Sequence, residues 1–331
     1  MQLVDGYARQ VSYLRLSLTD RCNYRCTYCM PEEGVAVEPK ADQLTAPEIA
    51  RLVRALQPLG LKRVRLTGGE PTIRPDLVEI VAGLGELGLD DLAMTTNGER
   101  LGELAGRLRR AGLQRLNVSV DSLDPQRFLA ITRRGKLDRV LASLEAARAA
   151  GFASIKLNTV VLGGQNDDEL PALCRFAWQH QMIPRFIEEM PMSDGALFSR
   201  GRFVPARVMR ERVEAAFGEL VPEARGAVAG VGPARYLRTR AGARVGFISA
   251  VTEPFCDTCN RVRISATGRL HACLSSDDQV NLLDELRGKD GGSDEVLVER
   301  VRAALQNKVE SHRFSSCGSG APKKHMVTIG G

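Results

Sequence analysis

Aromatic side chains are scarce, 5% of 331 residues with a single tryptophan. No basic stretch is interleaved with them, which excludes a surface on which nucleic-acid bases stack. No apolar run approaches the roughly 18 residues of a membrane-spanning helix, and no short apolar segment resembles a secretory signal. The sequence reads as that of a cytoplasmic protein with neither membrane nor nucleic acid as partner. Lysine is rare as well, 8 residues against 38 arginines. The 46 basic and 40 acidic side chains leave a net charge of +6. Arginine's planar fork binds phosphate and carboxylate, so the excess points to an anionic partner unless it is composition bias alone. No P-loop, His-Glu-x-x-His or Ser-His-Asp pattern is present. Gly83-Leu-Gly85-Glu-Leu-Gly88 matches a dinucleotide fingerprint only inside a helical pattern, where it is a chance match.

The chain does hold ample core material, 44% hydrophobic against 26% charged. At about 150 residues per domain it accommodates two domains, or one α/β unit with an extension. It also holds eight cysteines, at 22, 26, 29, 174, 256, 259, 273 and 317. Two tight clusters and two singletons do not suit a disulfide framework in a soluble chain of this size. In a reducing compartment such clusters hold metal.

Up to residue 190, strand-like and helical segments alternate. Strands are expected at 11–18, 62–67, 91–96, 114–120, 153–162 and 183–189, and helices near 45–58, 76–88, 99–111, 136–150 and 167–181. Six βα units imply a parallel sheet with right-handed crossovers, two units short of a closed eight-fold barrel. Parallel strands covered on both faces should be continuously apolar. Here Leu14, Leu16 and Leu18 alternate with Arg15 and Ser17, Val64 and Leu66 with Arg65 and Thr67, Leu116 and Val118 with Asn117 and Ser119, and Ile155 and Leu157 with Lys156 and Asn158. Such a polar face is costly in a dry core. The expectation is an α/β fold, an incomplete (βα)6 TIM-type barrel curved around a wet, ligand-lined cavity. Residues 191–315 form a second α+β domain, with a helix near 205–217 and a ribbon turning at Thr267-Gly268. Residues 316–331, rich in Ser, Gly and Lys, read as a flexible tail.

The chemistry concentrates in two places. Cys22, Cys26 and Cys29 are spaced C-x3-C-x2-C directly after the first strand. Three thiolates fall one short of a tetrahedral zinc site, whereas on a [4Fe–4S] cubane they leave one iron open to a small molecule. Cys256 and Cys259 are followed by Cys273, with His271 two positions before it. That spacing leaves open both a Cys3His zinc site and a second iron–sulfur cluster. Arg261 and Arg263 flank it as an anion clamp. Thr67-Gly68-Gly69-Glu70-Pro71 ends the second strand, where paired glycines admit a ligand close to the backbone and Glu70 accepts from an ammonium or hydroxyl. Cys174 reads as a buried small hydrophobe and Cys317 as incidental. Met190 is either core or ligand contact, and Glu188 and Glu189 read as solvated.

Asp20-Arg-Cys-Asn-Tyr-Arg-Cys-Thr-Tyr-Cys-Met-Pro31 resembles the signature of the radical S-adenosylmethionine (SAM) enzymes. With Arg15-Leu-Ser-Leu-Thr19, Arg65-Leu-Thr-Gly-Gly-Glu-Pro71, Thr95-Thr-Asn-Gly98, Asn117-Val-Ser-Val-Asp-Ser122 and Cys256-x2-Cys-Asn-Arg-x-Arg263, the chain is similar to the GTP 3′,8-cyclase family of molybdenum cofactor biosynthesis. The resemblance implies two [4Fe–4S] clusters, one on Cys22, Cys26 and Cys29 and a second on Cys256, Cys259 and Cys273, which removes His271 from the ligands. It implies SAM contacts at Tyr28, Gly69, Ser119 and Met190, and GTP contacts at Arg15, Arg65, Thr95, Lys156, Arg261, Val262 and Arg263. No side chain is required as acid or base, and the Gly330-Gly331 tail reaches into the site. The implied reaction is 5′-deoxyadenosyl radical attack on H3′ of GTP and closure of C3′ onto C8. The implied partners are a reductant such as a flavodoxin or ferredoxin, an enzyme forming cyclic pyranopterin monophosphate, and a second copy in a homodimer. Two rivals are a radical SAM enzyme of the peptide-maturase type and a non-enzymatic metal-containing nucleotide sensor.

Overall fold

Six short strands take their places from the alternation just described. The computed structural model describes residues 2–224, 226–228, 230, 232–288 and 292–330. The chain runs β1 (Tyr13–Ser17), α1 (Ala46–Leu56), β2 (Arg63–Thr67), α2 (Leu77–Gly85), β3 (Asp91–Thr96) and α3 (Leu101–Arg110). It continues through β4 (Arg115–Ser119), α4 (Pro125–Thr132), α5 (Leu137–Ala149), β5 (Ser154–Val161), α6 (Leu170–Gln179) and β6 (Ile183–Glu188). Then follow α7 (Ala206–Phe217), β7 (Val221–Pro222), β8 (Arg235–Arg238), β9 (Arg244–Ile248), β10 (Arg261–Ile264) and β11 (Arg269–His271). Last come β12 (Val280–Asn281), α8 (Leu283–Arg287), α9 (Asp294–Gln306) and α10 (Met326–Ile329).

Local chemistry sets several boundaries. Thr45 and Glu48 close both bonds of a capping box at the start of α1, satisfying two otherwise orphaned N–H groups. Asp124 accepts from Gln126 N and Arg127 N at 2.8 and 2.9 Å, with Pro125 in the first turn. That cap starts α4, a helix the periodicity did not reveal.

Among the described residues all twelve strands join one sheet, in the order β12-β11-β10-β1-β2-β3-β4-β5-β6-β9-β8-β7. The six expected strands are parallel in sequence order. β10 adds to β1, and β9 adds to β6, both also parallel. The later part of the chain therefore does not build its own sheet. It covers both open edges of the six-stranded barrel, which would otherwise present unpaired backbone groups, and each added strand turns back as an antiparallel ribbon. Leu14, Leu16, Val64, Leu66, Leu116, Val118, Leu157 and Phe186 point outward into the core beneath the helices. Arg15, Arg65, Asn117, Ser119, Asn158 and Arg185 point into a cavity.

Two composition-based readings differ from what the chain does. Residues 326–329 form α10, with Val327 and Ile329 each 2% exposed. The tail is anchored upstream by Ser193 N on Lys324 O at 3.2 Å and by Ser193 Oγ against His325 Nδ1 at 2.6 Å. A serine- and glycine-rich composition signals mobility but does not register the apolar residues that dock. Glu188 and Glu189 are buried rather than solvated. Glu188 accepts from Ala206 N (2.8 Å), Val251 N (2.8 Å) and Thr252 N (3.0 Å), tying β6 to α7 and to the turn after β9. Glu189 pairs with Arg202.

Candidate active site

The strand ends and the loops after them line a cavity of about 310 Å³ that is partly open to solvent, within the roughly 300–1,000 Å³ typical of ligand pockets. Both cysteine triplets line this cavity, Cys22, Cys26 and Cys29 on one side and Cys256, Cys259 and Cys273 on the other.

The first triplet sits in the loop after β1. The Cys26 carbonyl accepts from Cys29 N at 2.9 Å and from Met30 N at 3.2 Å, a tight turn that brings the two cysteines together. Burial first and then the Glu70 carboxylate push the Cys22 thiol up to about 12. Burial and Asp121 push Cys29 up to about 12. Cys26 is raised too, by burial and by Asp121. Without a cation these sulfurs keep their protons, and metal binding would release them. Asp121, raised to about 6 chiefly by burial, accepts from Tyr28 Oη at 2.7 Å and from Val160 N at 3.0 Å.

The glycine pair serves a purpose the sequence reading did not assign. A side chain at Gly69 would collide with the Arg21 carbonyl, and one at Gly68 with Thr19. Gly69 N donates to Thr19 O at 2.6 Å, and Glu70 N to Arg21 O at 2.8 Å. The first body to approach this backbone is thus the cysteine loop itself. Glu70 is not free for a ligand ammonium. It accepts from Thr72 N (2.9 Å), Thr72 Oγ1 (2.6 Å), Thr96 Oγ1 (2.6 Å) and Asn97 N (2.7 Å). Gly69→Ala is expected to cost about 1–3 kcal/mol from overpacking, read as a lower thermal unfolding midpoint together with reduced iron content.

The wall also carries a concentration of cations, with Arg65, Arg185 and Arg263 buried and Arg15 and Arg261 half-buried. Register places Arg263, Arg15 and Arg65 side by side across β10, β1 and β2, on backbones about 4.8 Å apart. Arg185, on the far wall, donates through Nε to Asn158 Oδ1 at 2.9 Å. Arg261 lies 4.7 Å over the Phe255 ring. Burial, then Arg263 and Arg65, hold Arg15 well below its ordinary value. Burial and Arg261 bring Arg263 down to about 10. Arg15 Nε is buried with no hydrogen-bond partner. Asp91, at the start of β3, is committed to Arg115 through a 2.6 Å bond to Nε. Tyr13 Oη accepts from Arg65; burial alone would raise this phenol, but Arg65 and Arg15 bring it below its usual value.

Of the residues expected to touch ligands, Arg15, Tyr28, Arg65, Gly69, Thr95, Ser119, Met190, Arg261 and Arg263 all line the cavity. Lys156 is buried below it, 5.1 Å over the Tyr236 ring. The Val262 side chain belongs to the hydrophobic core, so any contact from it falls to its backbone. Gly330 lies at the end of β2: a side chain there would collide with Thr67, and its carbonyl accepts from Arg263. Gly331 lies outside the described residues. Arg115 and Arg185 escaped the sequence reading although they follow the same alternation as Arg65 and Lys156. Asp91, His312 and Phe314 carry no local signal.

Soft thiolates, three to a site, suit the irons of a cubane. Among the described residues no three His, Cys, Asp or Glu side chains gather about one point as ligands of a single ion would; a cubane instead takes each thiolate on a different iron. His271, the fourth ligand of the zinc alternative, has its Nδ1 3.3 Å from the Lys324 ammonium.

Family models match in two blocks: the radical SAM superfamily over residues 16–177 and molybdenum cofactor synthesis C over 182–314. A GTP 3′,8-cyclase of Marinobacter nauticus is 46% identical over 331 residues, covering 100% of this chain and 99% of the relative. That of Heliobacterium modesticaldum is 42% identical, covering 99% and 100%. The chain belongs to the GTP 3′,8-cyclase family. Among solved structures, Streptococcus suis SuiB bound to S-adenosylmethionine has a TM-score of 0.65 at 15% identity, over 92% of this chain and 68% of that one. At that identity the likeness concerns the fold alone.

Proposed function

We propose that the chain converts GTP to (8S)-3′,8-cyclo-7,8-dihydro-GTP, the first step of molybdenum cofactor biosynthesis. The observation that carries this reading is the row Arg263, Arg15 and Arg65, with Arg185 opposite, in the cavity that both cysteine triplets line. GTP carries about four negative charges, and arginines fixed on rigid strands meet phosphates through charge-assisted bidentate bonds. A peptide substrate brings no such charge.

Cys22, Cys26 and Cys29 would hold one [4Fe–4S] cluster, and Cys256, Cys259 and Cys273 another. When bound, the first supplies the electron that cleaves S-adenosylmethionine to methionine and the 5′-deoxyadenosyl radical. The protein's part is placement. Tyr28, Gly69, Ser119 and Met190 form the S-adenosylmethionine side of the cavity, and Arg15, Arg65, Thr95, Arg261 and Arg263 the GTP side. Holding H3′ near the radical and excluding water converts two ligands into one reacting assembly. Lys156 and the Val262 backbone support the GTP wall, and Gly330 narrows the mouth. We read residues 1–190 as the radical-generating part, 191–315 as the auxiliary-cluster and GTP part, and 316–331 as the tail.

The reading extends to a flavodoxin- or ferredoxin-type reductant, a partner enzyme forming cyclic pyranopterin monophosphate, a homodimer and a cytoplasmic setting. No helix among the described residues is long and apolar enough to cross a membrane. The deciding test is anaerobic incubation with GTP, S-adenosylmethionine and dithionite. Both 5′-deoxyadenosine and a cyclised nucleotide are expected; absence of both with clusters intact would sink the assignment.

One pH effect follows. Burial, then Arg185, Arg115 and Arg65, bring the Lys156 ammonium down to about 6, against 10.5 ordinarily. Near pH 7.5 it is therefore mostly neutral in the free protein. A triphosphate close by favours the charged form and raises that value. Binding then takes up a proton, and affinity weakens as pH rises above 6 until the bound-state value is passed. Calorimetry in buffers of different ionisation enthalpy reads the uptake, which Lys156→Met is expected to remove.

A further inference from the structure

The second triplet differs from the first in what surrounds its sulfurs. The first faces the carboxylates Glu70 and Asp121. At the second, Lys308, 3% exposed, lies just beyond α9 and reaches across to the loop before β10. Its Nζ donates to Arg261 O at 2.7 Å, and lies 3.5 Å from both Cys259 O and Cys259 Sγ. Those three acceptors use the three protons of an ammonium, so its position is fixed rather than adaptable. Arg261 Nη2 approaches the same sulfur at 3.5 Å. Arg9, held by Asp5 at 2.7 Å, locks the neighbouring chain by donating to Cys256 O at 2.7 Å, Glu310 O at 2.6 Å and Val309 O at 2.8 Å. The 308–310 segment and the Cys256–Cys259 loop are thus one clamped unit.

Hydrogen bonds and charge at a ligating sulfur are among the levers that set an iron–sulfur potential. We propose that Lys308 is a positioning residue for the second cluster, whose buried ammonium bonds the Cys259 thiolate and raises that cluster's reduction potential. A cation beside the sulfur favours the form that has gained an electron. This inference rests on the second-cluster reading above.

The test is a dithionite redox titration, followed by electron paramagnetic resonance, in full-length protein carrying alanine at Cys22, Cys26 and Cys29, so that only the second cluster contributes. One electron from dithionite reduces each cluster. At a fixed ambient potential, Lys308→Met is expected to lower the ratio of reduced to oxidised cluster about tenfold, which is 59 mV for a one-electron couple. Lys308→Arg should stay within about twofold of the parent, and iron should stay near four per chain. A ratio within twofold of the parent in a fully loaded Lys308→Met protein would overturn the proposal, as would equal shifts in the Met and Arg variants. Loss of iron from both Lys308→Met and Lys308→Gln, with Lys308→Arg still loaded, would also overturn it, because Lys308 would then hold the loop rather than tune the cluster. If the triple-alanine parent itself carries no iron, the second-cluster reading fails, and the proposal with it.

Discussion

Alanine at Cys29 is expected to abolish S-adenosylmethionine cleavage and to remove about four irons per chain. The three sulfurs are the soft ligands that this loop contributes to the cavity, and two of them are a poor anchor for a cubane. The loop has no slack to recruit another ligand: Gly68 and Gly69 press against Thr19 and Arg21, and Cys29 is tied to Cys26 by a backbone bond. Iron and sulfide analysis on anaerobically prepared protein, paired with 5′-deoxyadenosine quantitation, reads both effects. Cys317→Ala is the matching control, because that cysteine is exposed and outside the cavity lining. Full cleavage by the Cys29 variant would place the first cluster elsewhere.

Alanine at Cys273 is expected to separate the two halves of the reaction. Cleavage of S-adenosylmethionine should survive in uncoupled form, since Cys22, Cys26 and Cys29 lie on the loop after β1, which packs on Gly68 and Gly69 after β2, and none of this involves Cys273. GTP turnover should fall to background, because Cys273 shares the far side of the cavity with Cys256, Cys259, Arg261 and Arg263. Product analysis with both substrates present distinguishes these effects, with about four irons remaining per chain. Retention of full GTP turnover would remove the second cluster from the reaction.

Much of this was legible in the sequence because it is local or periodic. The alternation in β1, β2, β4 and β5 announced a polar inner wall, and Arg15 and Arg65 stand on it. The C-x3-C-x2-C loop announced itself by spacing. What escaped depends on pairings distant in sequence. Nothing near residue 308 indicates that its ammonium meets Cys259, and nothing near residue 9 indicates that a guanidinium meets the Cys256 carbonyl. The addition of β9 and β10 to opposite edges is likewise a tertiary choice, driven by unpaired strand edges rather than by any local pattern. Gly68 and Gly69 show how a correct residue can carry an incomplete reason: close approach was right, but the approaching body is the protein's own loop. The docked tail shows the limit of composition, since Val327 and Ile329 outweigh the serines and glycines before them.

The central claim, that this cavity places C3′ of GTP against a 5′-deoxyadenosyl radical, is tested most directly by isotope transfer. Anaerobic turnover of GTP deuterated at C3′ is expected to give 5′-deoxyadenosine carrying one deuterium, together with the 3′,8-cyclised nucleotide. Deuterium-free 5′-deoxyadenosine from protein with both clusters intact would contradict it.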